Sequence, residues 1–246
     1  MRDVLLVFFY LLSTSLPGAE KPLSPNCDIL IQNGRIIDGS GNPWFLSDVA
    51  IKNGRITAIG KGLPHLAKLS VDAKGLIVSP GFIDIHSHSD TNILKDGLAQ
   101  SKIRQGVTTE ILGEGGSAAP STGARTPRSI NIDGKIHHWS SFTEYFDLID
   151  KQTISVNIAS YVGLSTVWEC IMGNSFARPS ESQFSKMEQL IITAMQHGAL
   201  GLSSQVMMPP GSLATTDDLV RLATVVAPYG GIYSTHIRNE GLGVFT

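Results

Sequence analysis

Two histidines one residue apart, His86 and His88, close the apolar run Phe82-Ile-Asp-Ile85 after a Pro80-Gly81 turn. Side chains at i and i+2 of a strand leave it on the same side. Both imidazoles can therefore address one point, and neutral imidazole is a good ligand for zinc and similar divalent ions. A His-x-His pair alone occurs often by chance. Here its setting is specific, at the junction of a β-rich region with alternating strands and helices. A catalytic zinc usually takes at least three protein ligands, so others are expected at the ends of other strands. His236, in Thr235-His-Ile-Arg-Asn-Glu-Gly241, ends a later apolar run. Glu114, in Leu112-Gly-Glu-Gly-Gly-Ser117, is the ligand-grade side chain after the second strand, between glycines that let backbone approach closely. A solvated loop carboxylate is the competing reading for Glu114. His137 and His138, beside Trp139 in a polar loop, read as surface residues, and His65 and His197 as incidental. The predicted metal set is His86, His88, His236 and Glu114.

Residues that meet at one point must sit on elements that end together. Residues 82–86, 107–112, 154–162, 199–203 and 231–236 read as five buried strands. Helices fit between them. Ser141-Phe-Thr-Glu144 and Ser180-Glu-Ser-Gln183 are capping boxes, in which two side chains satisfy each other's free backbone N–H groups. Phe184, Met187, Leu190, Ile191, Ala194 and Met195 then form one apolar face, and Gly198 is placed for a left-handed cap. Asp217 and Asp218 suit a helix N-terminus, and Pro228 stops the run that follows. Repeated strand–helix–strand units imply parallel strands with right-handed crossovers. An open doubly wound sheet and part of a (β/α)8 barrel both satisfy five such strands. Candidate ligands at the C-terminal ends of several strands favour the barrel.

Upstream of Pro80 the texture differs. Asp28-Ile-Leu-Ile-Gln-Asn-Gly-Arg-Ile36 is echoed by Asp48-Val-Ala-Ile-Lys-Asn-Gly-Arg-Ile56. Asn-Gly supplies the positive φ angles of a type I′ turn, which predicts two hairpins in a small β-sandwich-like domain over residues 27–79. The βα units then run over residues 80–246. Before both, Arg2, the apolar run 4–12 and Leu16-Pro-Gly-Ala19 have the layout of a signal peptide over residues 1–19, which predicts a secreted or periplasmic protein. An uncleaved N-terminal anchor is the rival reading. The run is short for a transmembrane helix, and no stable membrane span is expected once it is removed.

At 246 residues the chain suits one large domain, or one with a small companion. Its net charge of −2 offers no electrostatic case for nucleic acid or an anionic membrane. Charged residues at 16% and apolar residues at 42% argue against intrinsic disorder. Two cysteines exclude a dense disulfide scaffold and a Cys-only zinc ribbon, and Cys27 and Cys170 are read as unpaired buried thiols.

Taken together, residues 80–88, Gly106-Val-Thr-Thr109, Gly198-Ala-Leu-Gly-Leu-Ser203, Pro209-Pro-Gly211 and residues 233–241 resemble the N-acyl-D-amino-acid deacylases, or D-aminoacylases, of the amidohydrolase superfamily. The resemblance runs from about Asp28 to the last residue. It implies an α/β fold, a partial (β/α)8 TIM barrel of the metal-dependent amidohydrolase type beside a small N-terminal β-domain. It also implies hydrolysis of the linear amide bond of an N-acyl D-amino acid with one or two zinc ions, and a small-molecule substrate as partner. His86 and His88 match the family's first-strand ligand pair, and His236 the ligand after the fifth strand. Gly115 stands where the family has a cysteine ligand, so Glu114 is the candidate substitute. Met207-Met208 replace an Ile-Tyr whose tyrosine helps bind the substrate carboxylate, and Leu164 replaces a usual histidine. No substrate-binding residue is assigned. A further histidine ligand and the general-base aspartate are expected beyond Thr246, so no residue here is assigned as catalytic. Five strands cannot close an eight-stranded barrel. The chain is accordingly expected to be incomplete, poorly soluble by itself and inactive. Two alternatives stay open: another amidohydrolase, of cyclic amidase or isoaspartyl dipeptidase type, or a non-catalytic secreted binding protein of the same fold.

Overall fold

A computed structural model of the chain describes residues 4–6, 27–63 and 66–244. They fall into two compact units. One takes in residues up to Phe82 together with Arg104–Thr108, the other Ile83–Ile103 and the residues from Thr109 onward.

The first unit holds β1 (Val4–Leu6), β2 (Cys27–Ile36), β3 (Phe45–Lys52), β4 (Arg55–Gly60), β5 (Ala67–Asp72) and β6 (Ile77–Ser79). They form one mixed sheet in the order β1-β6-β2-β3-β4, with β5 also paired to β2. Ile31, Ile36, Val49, Ile51, Ala73 and Val78 make its core. The two Asn-Gly pairs behave differently. Asn53-Gly54, at φ 50° and 70°, turns β3 back into β4 as a type I′ hairpin requires. Asn33-Gly34 lies inside β2 and makes no hairpin, which corrects the sequence reading. The strand continues through a register shift against β3 between Ile31 and Gly34. Asn33 is held from both sides there, its N–H donating to Asp48 at 2.9 Å and its side-chain amide to Asp72 at 3.0 Å. Tertiary partners thus convert a turn signal into a bulge. Apart from Val4–Leu6, the predicted signal peptide lies outside the described residues, as does His65.

The remaining elements are β7 (Phe82–Asp84), α1 (Asn92–Lys95), α2 (Gln100–Ile103), β8 (Val107–Leu112), β9 (Arg128–Ile132), β10 (Lys135–Trp139), α3 (Phe142–Asp150), β11 (Asn157–Ser160), β12 (Val162–Gly163), α4 (Leu164–Met172), α5 (Glu181–Gln196), β13 (Gly201–Gln205), α6 (Thr216–Thr224) and β14 (Ile232–His236). Sheet order follows chain order, as in a barrel: β7-β8-β11, then β12-β13-β14. β11 runs parallel to β8, and β12, β13 and β14 are parallel. The strand expected over 154–162 is split at Tyr161, where pairing passes from β8 to β13. Both predicted capping boxes are present, at Ser141/Glu144 and Ser180/Gln183, and a third, Thr215/Asp218, opens α6. The helices cover the strands through a core that includes Leu112, Trp139, Tyr145, Trp168, Phe184 and Met187.

Two expectations need correction. His137 and His138 are not in a loop. They lie on β10, paired antiparallel to β9 across an Asp133-Gly134 turn with φ 50° and 83°. Cys170 is buried, but Cys27 is only half-buried, and neither is in a disulfide. Among the described residues no helix is long and apolar enough to cross a membrane.

Candidate metal centre

β7 stops at Asp84, two residues earlier than the sequence suggests. The Asp84 carboxylate accepts the His86 N–H at 3.2 Å, and this local bond draws the backbone out of the ladder. His86 and His88 therefore stand on a short extension past the strand end. Ser87 N–H still donates to the Ile111 carbonyl at 3.1 Å, which ties that extension to β8.

The three predicted histidines come together. His86 Nε2 and His88 Nε2 are 3.1 Å apart, and their rings meet edge to face with centroids 5.1 Å apart. The His236 ring, at the end of β14, packs edge to face against His86 at 4.8 Å. Two nitrogens bound tetrahedrally to one zinc at about 2.0–2.1 Å lie about 3.3 Å apart. The His86–His88 spacing is close to that value, so the pair fits a zinc-sized cation. Among the described residues no three His, Cys, Asp or Glu side chains form a closed ligand set. The geometry is a two-nitrogen seat with a third imidazole packed against it.

Glu240 was not anticipated. Its carboxylate meets His236 Nδ1 at 2.8 Å, one helical turn's spacing along the chain. A carboxylate on one ring nitrogen fixes the tautomer and leaves Nε2 as the ligating atom, the usual support for a metal-bound histidine. The clue in the sequence is the i, i+4 spacing of His236 and Glu240.

Glu114 is buried, which removes the solvated-loop reading. Its carboxylate accepts the Ser234 hydroxyl at 2.5 Å. Ser234 precedes His236 by two residues on β14, so the two share a face. Glu114 is thus tied to the strand that carries His236. Burial raises the pKa of nearby Tyr161, and the Glu114 charge adds to that rise. Gly115 has φ 72°, and a Cβ placed there would lie 2.6 Å from the Gln205 Cβ. The position has no room for a thiol ligand without backbone movement.

A second group of polar residues was also missed. Glu110, on β8, is fully buried and accepts the hydroxyls of Ser87 and of Ser89, the latter at 2.6 Å. Lys102 Nζ lies 3.6 Å from the same Glu110 oxygen and 2.6 Å from Asp84. The Lys102 ammonium holds the Asp84 carboxyl below the usual range, and Asp84 in turn raises Lys102. Asp90, two residues past His88, has a buried Oδ1 without a hydrogen-bond partner among the described residues, and burial raises its pKa. It lines a cavity of about 290 Å³ with Ser117, Arg125, Arg128, Thr166 and Glu169. Arg238 is used structurally, donating to the Ala214 carbonyl at 2.8 Å.

Known proteins resemble this chain in sequence and in fold. A D-aminoacylase of Alcaligenes xylosoxydans xylosoxydans is 36% identical over 87% of this chain and 45% of its own length. The chain thus spans less than half the length of this curated relative. A crystal structure of N-acyl-D-glutamate deacylase from Bordetella bronchiseptica, complexed with zinc and a phosphonate mimic of the tetrahedral intermediate, superposes with a TM-score of 0.80. It is 35% identical over 89% of this chain and 47% of that one. A D-aminoacylase structure described for its binuclear metal centre superposes with a TM-score of 0.78, at 32% identity over the same shares of the two chains. The partial barrel is thus similar to the barrels of N-acyl-D-glutamate deacylase and D-aminoacylase. The Amidohydrolase family model matches residues 70–244, more than half of the chain, and the chain belongs to the amidohydrolase family.

Proposed function

We propose that the protein hydrolyses the amide bond of N-acyl-D-amino acids with the help of zinc. The observation that carries this reading is the convergence of His86, His88 and His236 from two strand ends. These three imidazoles would hold the metal, with Glu114 as the candidate fourth ligand. When bound, zinc polarises the scissile carbonyl and brings the pKa of an attacking water toward neutrality. The chain's own residues do the positioning. Glu240 holds the His236 tautomer, and Ser234 holds Glu114 beside the same strand. No residue of this chain is assigned as the general base. We also propose export, on the apolar run 4–12 followed by small residues before Glu20.

The test is metal analysis and amino-acid release on protein purified from its source. The panel holds N-acyl-D-amino acids, their L-enantiomers, a cyclic amide and an isoaspartyl dipeptide. Stoichiometric zinc with D-selective release supports the proposal. Release from the cyclic amide or the dipeptide alone replaces the substrate class. Zinc-free protein with no turnover on any member leaves a non-catalytic binding protein of this fold.

A further inference from the structure

We infer that Glu110 is a positioning residue for the histidine pair, holding segment 86–89 from behind so that both imidazoles face one point. This rests on the proposed metal reading. The segment alternates His86-Ser87-His88-Ser89, and the two kinds of residue turn opposite ways. The histidine rings are exposed and gather with His236. The serine hydroxyls both end on Glu110 Oε2. Leu112, two residues on from Glu110 and on the same face of β8, packs into the core beneath the helices. Glu110 therefore stands behind the strand, on the side away from the histidines.

A structural need does not explain a charge at this position. Lys102 is already neutralised by Asp84 at 2.6 Å, one ångström closer than its approach to Glu110. The other carboxylate oxygen, Oε1, is buried and has no hydrogen-bond partner among the described residues. Burying an unpaired polar atom is unfavourable, and an apolar side chain like Leu112 would fill the space without it. What the carboxylate supplies and an apolar residue cannot is a shared acceptor for Ser87 and Ser89. Fixing those two hydroxyls fixes the backbone that aims His86 and His88. Lys102 completes the clamp, donating to the Ser87 hydroxyl oxygen at 3.2 Å while that hydroxyl donates to Glu110.

The experiment uses the full chain and zinc alone as probe. Zinc affinity is measured by competition with a chromophoric chelator for the wild type, Glu110→Gln, Glu110→Ala and Ser89→Ala. The visible spectrum of the cobalt-substituted protein reports ligand geometry. Near-ultraviolet circular dichroism of the metal-free protein reports the fold. Loss of support behind metal ligands typically lowers affinity about 10- to 100-fold. The expected result is a fall in that range for Glu110→Ala, a smaller fall for Ser89→Ala, and an altered cobalt spectrum in both. The metal-free dichroism of Glu110→Gln and Ser89→Ala should stay as in the wild type. Zinc affinity within twofold of wild type in folded variants overturns the inference and leaves the metal reading intact. Zinc loss that only follows loss of the metal-free fold also overturns it, since the role is then structural. A wild type that binds no zinc overturns the metal reading itself, and this inference with it.

Discussion

Asp218 and Glu110 are both buried carboxylates of the second unit, and they are satisfied in different ways. Asp218 uses both oxygens. One accepts Arg178 Nη2 at 2.7 Å, and the other accepts Arg178 Nη1 together with the N–H and hydroxyl of Thr215, each of these at 2.8 Å. The result is a bidentate ion pair fused to the capping box that starts α6. Glu110 collects two serine hydroxyls and the more distant Lys102 on one oxygen and, among the described residues, nothing on the other. A carboxylate kept for stability is arranged to satisfy itself. One kept to steer its neighbours is arranged around them, and the cost shows as the orphaned oxygen.

The comparison is sharpest if stability and metal binding can be changed separately. The largest expected effect is on the histidine seat itself. His86→Ala removes one of two nitrogens 3.1 Å apart and the ring that His236 packs against. Zinc per chain, measured by mass spectrometry after dialysis, should fall from stoichiometric to background. Retained stoichiometric zinc would mean that the metal sits elsewhere. Asp218→Ala should do the reverse. It removes a cap and a buried charge-assisted pair, a loss of about 2 kcal/mol in urea unfolding, and leaves zinc affinity unchanged. A matching drop in zinc affinity would erase the distinction between the two carboxylates. Glu240→Gln should come next. It weakens the hold on His236 Nδ1 and lowers zinc affinity about tenfold with the fold intact.

How far the sequence could go depended on whether the deciding partner was local. His86 and His88 were legible because i, i+2 alternation at a strand end is a local property. The starts of α3 and α5 were legible because Ser141/Glu144 and Ser180/Gln183 close within three residues. Asn33-Gly34 misled because the same dipeptide that turns the chain at Asn53 is held in β2 by Asp48 and Asp72, 15 and 39 residues away. The Asp133-Gly134 hairpin carried an adequate signal that the polar look of His137 and His138 obscured. Glu110 was invisible for a different reason. Nothing local in Val107-Thr-Thr-Glu-Ile-Leu112, read as a buried strand, points to the partners of its acid, because its serines lie 23 and 21 residues upstream.

The smallest expected effect concerns pH and isolates Asp218. Burial alone would raise its pKa, but the Arg178 and Thr215 hydrogen bonds together outweigh burial and hold it below the ordinary 3.8. The folded state therefore binds this proton more weakly than the unfolded chain. The stabilisation is fully present above the ordinary aspartate range and is lost as pH falls below about 4 toward the folded-state value. Other acids of the protein share this sign, Asp84 and Glu144 among them, so a single acid-unfolding curve cannot assign it. The difference between the wild type and Asp218→Asn can. Asparagine keeps the shape but not the charge facing Arg178. Measured on metal-free protein, which removes any contribution from zinc, the stability difference should be flat from pH 7 to about 5 and shrink below that. A difference that stays constant to pH 3 would show that the Asp218 charge contributes nothing beyond its hydrogen-bonding shape. The contrast with Glu110 would then rest on geometry alone.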